Sequence, residues 1–465
     1  MKFKILLLIL IAISLLLCSC EEPEGIEEQK KYPTISLNVY NWGEYISNED
    51  DEECGLFDVN AGFEEYFNTT LADKYGFYVK VNYSTYATNE DMYAKLSNSA
   101  VAYDIVVPSD YMIQKMIAHD MLLPLDFSLL TNYGNISEDF KNMYYDPQNT
   151  YSVPYTYGMV GIIYNSEFVK DEDVADESWS LLWNQSKDGK QLDYKGKILQ
   201  FNNPRDAFAS AMYWKNLNIN SHNPTDWNDA LQLLKEQKPI LQGYVNDEIF
   251  NKMKSASAYI APYFAGDFLT MAADNDDLRF YYPSEGTNYF VDAFCIPKTS
   301  KNPQIAHEYI NYMIDLEAAR SNALYIGYAS PNQKVVEDPE YLEKLDYNYS
   351  IYESDEEDAA CLIDAYEILY GKTKDQINEN YSHNPAYEDY FKDEANGINI
   401  QEHVNALWES LKTENSTELW IHITSAVIVI GVLGFAIYST YIRKKRSKFY
   451  RDRDRELKRQ KMLNK

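Results

Sequence analysis

The sequence predicts an α/β protein built of two lobes that are joined by two chain segments. Strand-like and helix-like runs alternate from Ile35 to about residue 119, and a second such cycle follows between residues 196 and 282. Alternation at these lengths is typical of a parallel sheet covered on both faces. Two long β-rich runs, 151–165 and 289–297, have the length and composition of strands that cross from one lobe to the other.

The individual elements follow from apolar spacing, at a period of two for strands and 3.6 for helices. In the first cycle we expect strands at 34–41, 77–86 and 102–108, with helices at 57–75, 89–99 and 110–119. In the second cycle we expect strands at 196–202, 257–263 and 278–282, with helices at 204–217 and 226–238. Helices at 302–315 and 316–326 follow, and acidic, tyrosine-rich helical segments run from about 338 to 415.

These elements divide the chain into seven regions, in which the lobes are discontinuous because two segments cross between them. The predicted regions are a lipoprotein signal (1–20), a tether (21–33), lobe 1 (34–157 with part of 293–345), lobe 2 (158–292), a C-terminal helical segment (346–418), a transmembrane helix (419–442) and a basic cytoplasmic tail (443–465).

Membrane signals stand at both ends of the chain. MKFKILLLILIAISLLLCSC has two lysines, an apolar core of signal-peptide length and a Leu-x-small-Cys ending, so we expect lipid attachment at Cys20. About twenty predominantly apolar residues from Leu419 to Ile442 match a bilayer crossing, and RKKR follows directly. The positive-inside rule then places the tail in the cytoplasm. The sequence therefore predicts a membrane-anchored protein whose body lies on the extracytoplasmic face.

Charge and metal-ligand spacing exclude several classes of function. The formal net charge is −30 although the tail is basic, so the body is still more acidic than this total. Such a surface repels nucleic acid and anionic substrates and attracts cations. Three of the five cysteines lie outside the leader without CxxC spacing, and the six histidines form no HExxH motif. We therefore expect no metal and no cofactor.

Acidic side chains stand beside aromatic ones at the ends of several predicted strands. Examples are WGEY, VVPSDYM, FNNPRDAF, APYFAGDF and YFVDAF. A flexible alkyl chain with ammonium groups needs flat apolar walls for its methylenes, ring faces for its cations and carboxylates for its charged heads. Two lobes and two crossings outside the membrane are typical of a solute receptor that closes on its ligand. The pattern favours a cationic solute.

Several motifs then resemble one family specifically. YNWGEYIS, NYSTYATNEDMYAKL, AYDIVVPSDYMIQKM, YSVPYTYGMVGIIYN, YPSEGTNYFVDAFCIP and YIGYASPNQ occur in the order found in the spermidine/putrescine-binding proteins of bacterial ABC importers. The resemblance covers about residues 34–335. It implies a periplasmic-binding-protein-like fold, putrescine or spermidine as ligand, and a permease pair with its ATPase as partners.

The resemblance also implies which residues contact the ligand. Aromatic walls, hydroxyl contacts to a terminal amine and carboxylates for the amines are carried over onto Trp42, Glu44, Tyr45, Ser109, Tyr111, Asp206, Phe264, Asp267, Asp292 and Tyr328. Two positions depart from the family pattern. Asn203 stands where an acid is expected, and Phe264 where a tryptophan is expected. The lost acid favours the shorter diamine, putrescine.

Other classes of function are weaker. No GxSxG motif, phosphate-binding glycine loop or cysteine–histidine pair indicates an enzyme, although Asp267 and Asp292 would also suit a glycosidase. Tyr281 and Tyr282 raise the alternative of a ferric-iron receptor of the same architecture, but neighbours in a strand point to opposite faces. A ligand-sensing ectodomain is the third alternative.

Overall fold

The computed structural model describes residues 31–98, 102–354, 359–371, 400–413 and 428–431, together with residues 438, 442, 445 and 453. Within this part of the chain, one nine-stranded sheet runs through the molecule in the order β2-β1-β3-β9-β4-β7-β5-β6, and β8 pairs with β4. The strands are β1 (Thr34–Trp42), β2 (Tyr78–Tyr86), β3 (Ile105–Val106), β4 (Ser152–Asn165), β5 (Ile198–Phe201), β6 (Leu241–Val245), β7 (Ile260–Phe264), β8 (Leu278–Tyr281) and β9 (Tyr289–Cys295).

Helices cover this sheet and connect its parallel strands. They are α1 (Val59–Tyr66), which continues through a π-helical turn (Phe67–Leu71) into α2 (Ala72–Tyr75), then α3 (Asn89–Ser97), α4 (Asp110–Ala118), α5 (Asp171–Val174), α6 (Pro204–Trp214), α7 (Pro224–Gln237), α8 (Glu248–Lys254), α9 (Ala265–Ala272), α10 (Pro303–Met313), α11 (Leu316–Ile326), α12 (Gln333–Val336), α13 (Pro339–Tyr349), α14 (Ala365–Tyr370) and α15 (Ile400–Thr413). Short 3₁₀ turns occupy Tyr133–Asn135, Glu138–Phe140, Trp179–Trp183 and Lys238–Ile240.

β4 joins the two halves of the sheet, as predicted for a crossing strand. Its first residues, from Ser152 to Met159, pair antiparallel with β9. Its last residues pair antiparallel with β7 and β8. On one side of this junction β1 runs parallel to β2 and β3, and on the other side β5 runs parallel to β6 and β7. The mixed α/β architecture is therefore confirmed.

Each half of the sheet has a hydrophobic core, and a third buried cluster includes Met92 of the first half and Ala265 of the second. In the first half, Phe63 and Tyr309 are fully buried, with their rings 5.0 Å apart. In the second half, Trp179 and Trp227 are the largest fully buried side chains. Each half therefore has buried aromatic residues of its own on either side of the junction.

Several elements differ from the prediction. β3 has two residues rather than seven, and the stretch 239–272 contains β6, α8 and α9, of which none was predicted. β6 is an edge strand, half-buried over most of its length, so it lacks the apolar alternation of a covered strand. The predicted C-terminal helical segment also contains an antiparallel ribbon of β10 (Ile351–Tyr352) and β11 (Cys361–Ile363).

α15 returns the chain to the second half of the sheet. The Trp408 indole meets the Tyr244 ring edge-on, with 5.4 Å between ring centroids. Lys238 Nζ donates a hydrogen bond to the carbonyl oxygen of Leu411 at the end of this helix. A ring contact and a capped carbonyl therefore fix α15 against α7 and β6.

The predicted membrane segments fall largely outside the described residues. Cys20 and the rest of the signal lie outside them, as does the 419–442 span apart from residues 428–431, 438 and 442. Within the described part of the chain, every helix is too short or too polar to traverse a bilayer.

Candidate ligand-binding site

Asp292 lies at the junction between the halves, on β9. Thr156 of β4 is its strand partner, and Ser109 forms an isolated bridge to it from the start of α4. The Tyr45 hydroxyl donates a 2.6 Å hydrogen bond to Asp292 Oδ2 and is itself hydrogen-bonded to the Thr156 hydroxyl at 2.8 Å. The second carboxylate oxygen, Oδ1, is buried and has no hydrogen-bond partner among the described residues.

The pKa of the Asp292 carboxyl is raised to about 7, chiefly by burial; hydrogen bonds from Ser109 and Tyr45 act to lower it, and the negative charge of Asp110 acts to raise it. Asp292 is only 3% exposed. A buried carboxylate without a positive partner is costly, so this site is suited to receive a cation.

Asp267 is a second buried carboxyl, in the first turn of α9. The Tyr328 hydroxyl donates a 2.8 Å hydrogen bond to its Oδ2. Burial raises the pKa of Asp267 to about 7, the Tyr328 hydrogen bond lowers it, and the charge of Asp247 raises it. Tyr328 comes from the segment after α11, so this hydrogen bond joins α9 to a segment that is distant in sequence.

Asp206, in the first turn of α6, is held by two amides. Asn203 caps this helix by accepting a 2.9 Å hydrogen bond from the Asp206 backbone N–H, and its own Nδ2 donates to Asp206 Oδ2 at 2.9 Å. Asn288 Nδ2 donates to Asp206 Oδ1 at 3.1 Å. Burial raises the pKa of Asp206, and Asn203, the charge of Arg205 and Asn288 lower it. Both carboxylate oxygens therefore already have donors.

Tyr111 meets the second half of the molecule through Arg205, and Asn89 links the hydroxyls of Tyr111 and Ser109. Asn89 Nδ2 donates 3.0 Å hydrogen bonds to both hydroxyls, and the Tyr111 hydroxyl donates to Glu90 Oε1 at 3.2 Å. The guanidinium of Arg205 lies over the Tyr111 ring at 4.5 Å from its centroid. This cation–π contact crosses between the halves.

Aromatic rings form a continuous wall between the two halves. Successive ring centroids are 6.5 Å apart from Trp42 to Tyr45, 5.6 Å from Tyr45 to Tyr328, 6.0 Å from Tyr328 to Phe290 and 5.3 Å from Phe290 to Phe264. Such a wall offers ring faces and apolar surface along the length of a thin ligand.

Gly266 permits the close packing of this wall. A Cβ at Gly266 would stand 2.3 Å from the Tyr328 ring, so a larger residue would displace the ring that bonds Asp267. This need for glycine arises from the approach of a distant segment and not from local backbone conformation.

Glu44 differs from the other predicted contacts because it is exposed. Its backbone has φ of 48°, in the left-handed region, and the Tyr325 hydroxyl donates a 3.0 Å hydrogen bond to its Oε2. Burial and the negative charges of Glu248 and Glu44 raise the pKa of Asp247, which lies between β6 and α8. The structure thus places nine of the predicted residues along one junction and puts Glu44 at its solvent-exposed end.

Two groups of charged residues bound this junction, which we call the cleft. The arginine end comprises Arg205, Tyr111, Glu90, Asp110 and Asp206. The acidic end comprises Glu44, Asp247 and Asp267. Asp292 lies between them, since it interacts with Asp110 through charge and reaches Tyr328 and Asp267 by way of the Tyr45 ring.

Comparison with known proteins agrees with the α/β architecture in indicating a solute-binding protein. The model of the bacterial extracellular solute-binding protein family matches residues 65–346, which is more than half of the chain. The chain belongs to this family.

The names of individual relatives of this solute-binding protein specify their ligands. The spermidine/putrescine-binding periplasmic protein of Escherichia coli K12 is 30% identical over 298 residues, covering 64% of this chain and 78% of the relative. Spermidine/putrescine-binding periplasmic protein 1 of Haemophilus influenzae is 28% identical over 372 residues, covering 77% and 95%. The resemblance seen in the motifs is thereby confirmed.

A solved structure supports the fold of this solute-binding protein. PotD, the spermidine/putrescine ABC transporter substrate-binding protein of Streptococcus pneumoniae, has 30% sequence identity and a TM-score of 0.53, and the match covers 80% of this chain and 99% of that one. The family comprises substrate-binding receptors of transporters and is not an enzyme class.

Tyr281 and Tyr282, which raised the ferric-iron alternative, form separate hydrogen bonds in this solute-binding protein. The Tyr281 hydroxyl donates to the Ser178 carbonyl oxygen at 3.0 Å, and the Tyr282 hydroxyl donates to that of Ile368 at 2.7 Å. The two hydroxyls therefore serve separate backbone contacts. Among the residues that the structure describes, no group of three or more potential metal ligands occurs.

Sequence reasoning missed three residues of the candidate site. Thr156 and Asn89 form hydrogen bonds with the predicted hydroxyls. Phe290, which the YFVDAF motif already placed beside Asp292 at a strand end, completes the ring wall. Asp247 was also missed because the strand before it was not predicted.

Proposed function

We propose that this chain is the extracytoplasmic receptor that binds a polyamine, putrescine or spermidine, and delivers it to an ABC importer. The observation that carries this proposal is Asp292. Its Oδ2 is held by Tyr45, and its buried Oδ1 has no partner among the described residues. An ammonium group would supply the missing positive charge and hydrogen-bond donor.

The ring wall supports the same class of ligand. The polyamine lies along the rings from Trp42 to Phe264, which shield its methylenes from water. Closure of the halves removes water from the acid–ammonium pairs and strengthens them. The names of the relatives, which bind spermidine and putrescine, agree with this chemistry.

Calorimetry on the purified full-length protein tests the proposal. Putrescine, cadaverine, spermidine and spermine are titrated separately, and γ-aminobutyrate serves as a control that carries one amine and one carboxylate. We expect saturable binding of at least one polyamine and none of the control. Binding of no polyamine, or recovery of a chemically altered polyamine after incubation, would contradict a receptor function.

Anchoring and delivery form the second part of the proposal. Lipid on Cys20 and a span over 419–442 hold the receptor at the extracytoplasmic face, where it meets a permease pair coupled to an ATPase. Mass spectrometry of the mature amino terminus, compared with a Cys20→Ala variant, tests the lipid. Retention of the variant in the membrane fraction would indicate that the span anchors the protein without it.

A further inference from the structure

Asn288 immediately precedes β9, the strand that carries Asp292. Its backbone carbonyl oxygen accepts a 3.2 Å hydrogen bond from the Val160 N–H of β4. The carbonyl oxygen of Thr287, a fully buried residue, accepts a 2.8 Å hydrogen bond from the Tyr213 hydroxyl of α6. The backbone at Asn288 is therefore held between β4 and α6, which fixes where its side chain can reach.

Asn288 shares one face of this strand with two residues of the candidate site. Side chains two residues apart in a strand point to the same side, and Phe290 and Asp292 follow Asn288 at this spacing. Four residues of strand span about 13 Å. Because C–C and C–N bonds measure about 1.5 Å, this span is roughly twice the separation of the two nitrogens of putrescine and near that of the terminal nitrogens of spermidine. A ligand with its first ammonium at Asp292 therefore reaches Asn288 only if it is longer than a diamine.

The Asn288 amide occupies the carboxylate that lies at this position. Asn288 Nδ2 donates a 3.1 Å hydrogen bond to Asp206 Oδ1, and Asn203 Nδ2 donates a 2.9 Å hydrogen bond to Oδ2. Both carboxylate oxygens thus have an amide donor from the protein. An ammonium that displaced the Asn288 amide would leave Nδ2 without its acceptor, which offsets part of what the ammonium gains.

Arg205 supplies a positive charge at the same end of the cleft. Its guanidinium lies 4.5 Å from the centroid of the Tyr111 ring, so one face of that ring already holds a cation. Its charge also lowers the pKa of Asp206. A ligand ammonium beside Asp206 would meet this fixed positive charge.

Two other carboxylates of the cleft are more open to an ammonium. Asp292 Oδ1 is buried and has no hydrogen-bond partner among the described residues. Over the same part of the chain, the Asp267 carboxylate has one hydrogen-bond donor, the Tyr328 hydroxyl. The Tyr45 ring, whose hydroxyl holds Asp292 Oδ2, lies 5.6 Å from the Tyr328 ring. One pair of contacting rings therefore separates two open carboxylates, which suits a ligand with two ammonium groups.

We propose that Asn288 is a specificity-determining residue, which restricts the cleft to diamines by occupying the Asp206 oxygen that the far ammonium of a triamine would bind. This inference rests on the proposed function and deepens it, because it narrows the ligand to a diamine such as putrescine or cadaverine. Asn203 and Arg205 act in the same direction from the start of α6.

An Asn288→Ala variant of the full-length protein tests this role by calorimetry with putrescine and spermidine at about pH 8, where Asp267 and Asp292 are largely ionised. The smaller side chain leaves space and an open acceptor at Asp206. We expect the ratio of spermidine to putrescine affinity to rise about tenfold, the size of one hydrogen bond to a charged group. Asn228→Ala, at an exposed asparagine of the same half whose Nδ2 donates to the Pro224 carbonyl oxygen, is the matched control and should leave the ratio unchanged.

Asn288→Asp is the second variant, because aspartate has the size of asparagine and replaces the amide donor with a carboxylate. We expect the ratio to rise further than with alanine. An unchanged or lower ratio in the Asn288 variants, an equal rise in Asn228→Ala, or wild-type protein that binds spermidine more tightly than putrescine would each overturn the inference. Wild-type protein that binds no polyamine would instead overturn the proposed function.

Discussion

The arginine end and the acidic end of the cleft are built from similar side chains but differ in charge balance. At the arginine end, Asp206 accepts hydrogen bonds from two asparagines, and Arg205 lies over the Tyr111 ring. At the acidic end, Asp267 has one tyrosine hydroxyl, and the charged neighbour that raises its pKa is another acid, Asp247. The arginine end thus holds a cation of the protein among its carboxylates, whereas the acidic end as defined here consists of acids alone.

This difference in charge predicts which end of the cleft contributes most to ligand affinity. A carboxylate with its own donors and a nearby cation is stable without ligand, so we expect the arginine end to contribute less to ligand affinity. Carboxylates without a cation gain most from an incoming ammonium. We therefore expect the ligand to owe its affinity mainly to Asp292 and the acidic end.

Asp292→Asn is expected to have the largest effect. It removes the negative charge whose Oδ1 would receive the ammonium, and loss of one partner of a buried ion pair costs about 3–5 kcal/mol. Polyamine affinity should fall by at least about 100-fold in calorimetry. Asp206→Asn should cost only about tenfold, because the ligand gains less where the protein already supplies donors and a cation.

Comparing the Asp292→Asn and Asp206→Asn variants tests whether the two carboxylates contribute differently to ligand affinity. Equal losses would show that the two carboxylates contribute alike and would remove the distinction between the ends. Asp277→Asn, at an exposed position, reports the effect of a changed net charge alone. Thermal unfolding of each ligand-free variant distinguishes lost binding from lost folding.

The pH dependence of binding should also follow Asp292 and Asp267. Both have pKa values raised to about 7, chiefly by burial, whereas an unfolded aspartate titrates near about 3.9. A bound ammonium favours the charged carboxylate, so binding should release protons at about pH 6 and few at about pH 8. Affinity should therefore rise as pH increases towards about 7 and level off above it.

The stability of the ligand-free protein should change in the opposite direction. Between about pH 4 and pH 7 the folded protein retains protons that the unfolded chain has released, so the free energy of unfolding falls as pH rises through this window.

Calorimetry in buffers of different ionisation enthalpy counts the protons that are released when polyamine binds. Asp292→Asn should release fewer than wild type, and an unchanged count would assign the protons to other groups.

Much of the fold was predictable because it depends on local pattern. β4 reads as one long apolar run with small residues at Gly158 and Gly161, and the structure pairs its two parts with strands of different halves. The acids at strand ends were equally visible, since Asp267 and Asp292 each stand beside aromatic residues in the sequence.

Features that depend on contacts between distant segments were not predictable. β6 is a half-buried edge strand interrupted by Gly243, so it gave no periodic signal, and Asp247 was missed with it. Arg205 lies on the first turn of α6, and from the sequence its side chain could equally face the solvent or the cleft. Only the approach of α4 from the other half brings it over Tyr111.

Arg205→Gln is expected to have the smallest effect, and it tests the comparison most directly because it removes the charge that distinguishes the ends. Without the guanidinium, Asp110 and Asp206 lose a favourable charge, so the arginine end should become able to hold an ammonium. We expect the ratio of spermine to putrescine affinity to rise about threefold, within the roughly 1 kcal/mol of a solvated charge pair. Loss of the Tyr111 contact would weaken the binding of both ligands equally, so this effect cancels in the affinity ratio. Arg279→Gln, whose guanidinium donates to backbone carbonyls in the second half, is the matched control. An unchanged or lower ratio would mean that Arg205 does not limit ligand length.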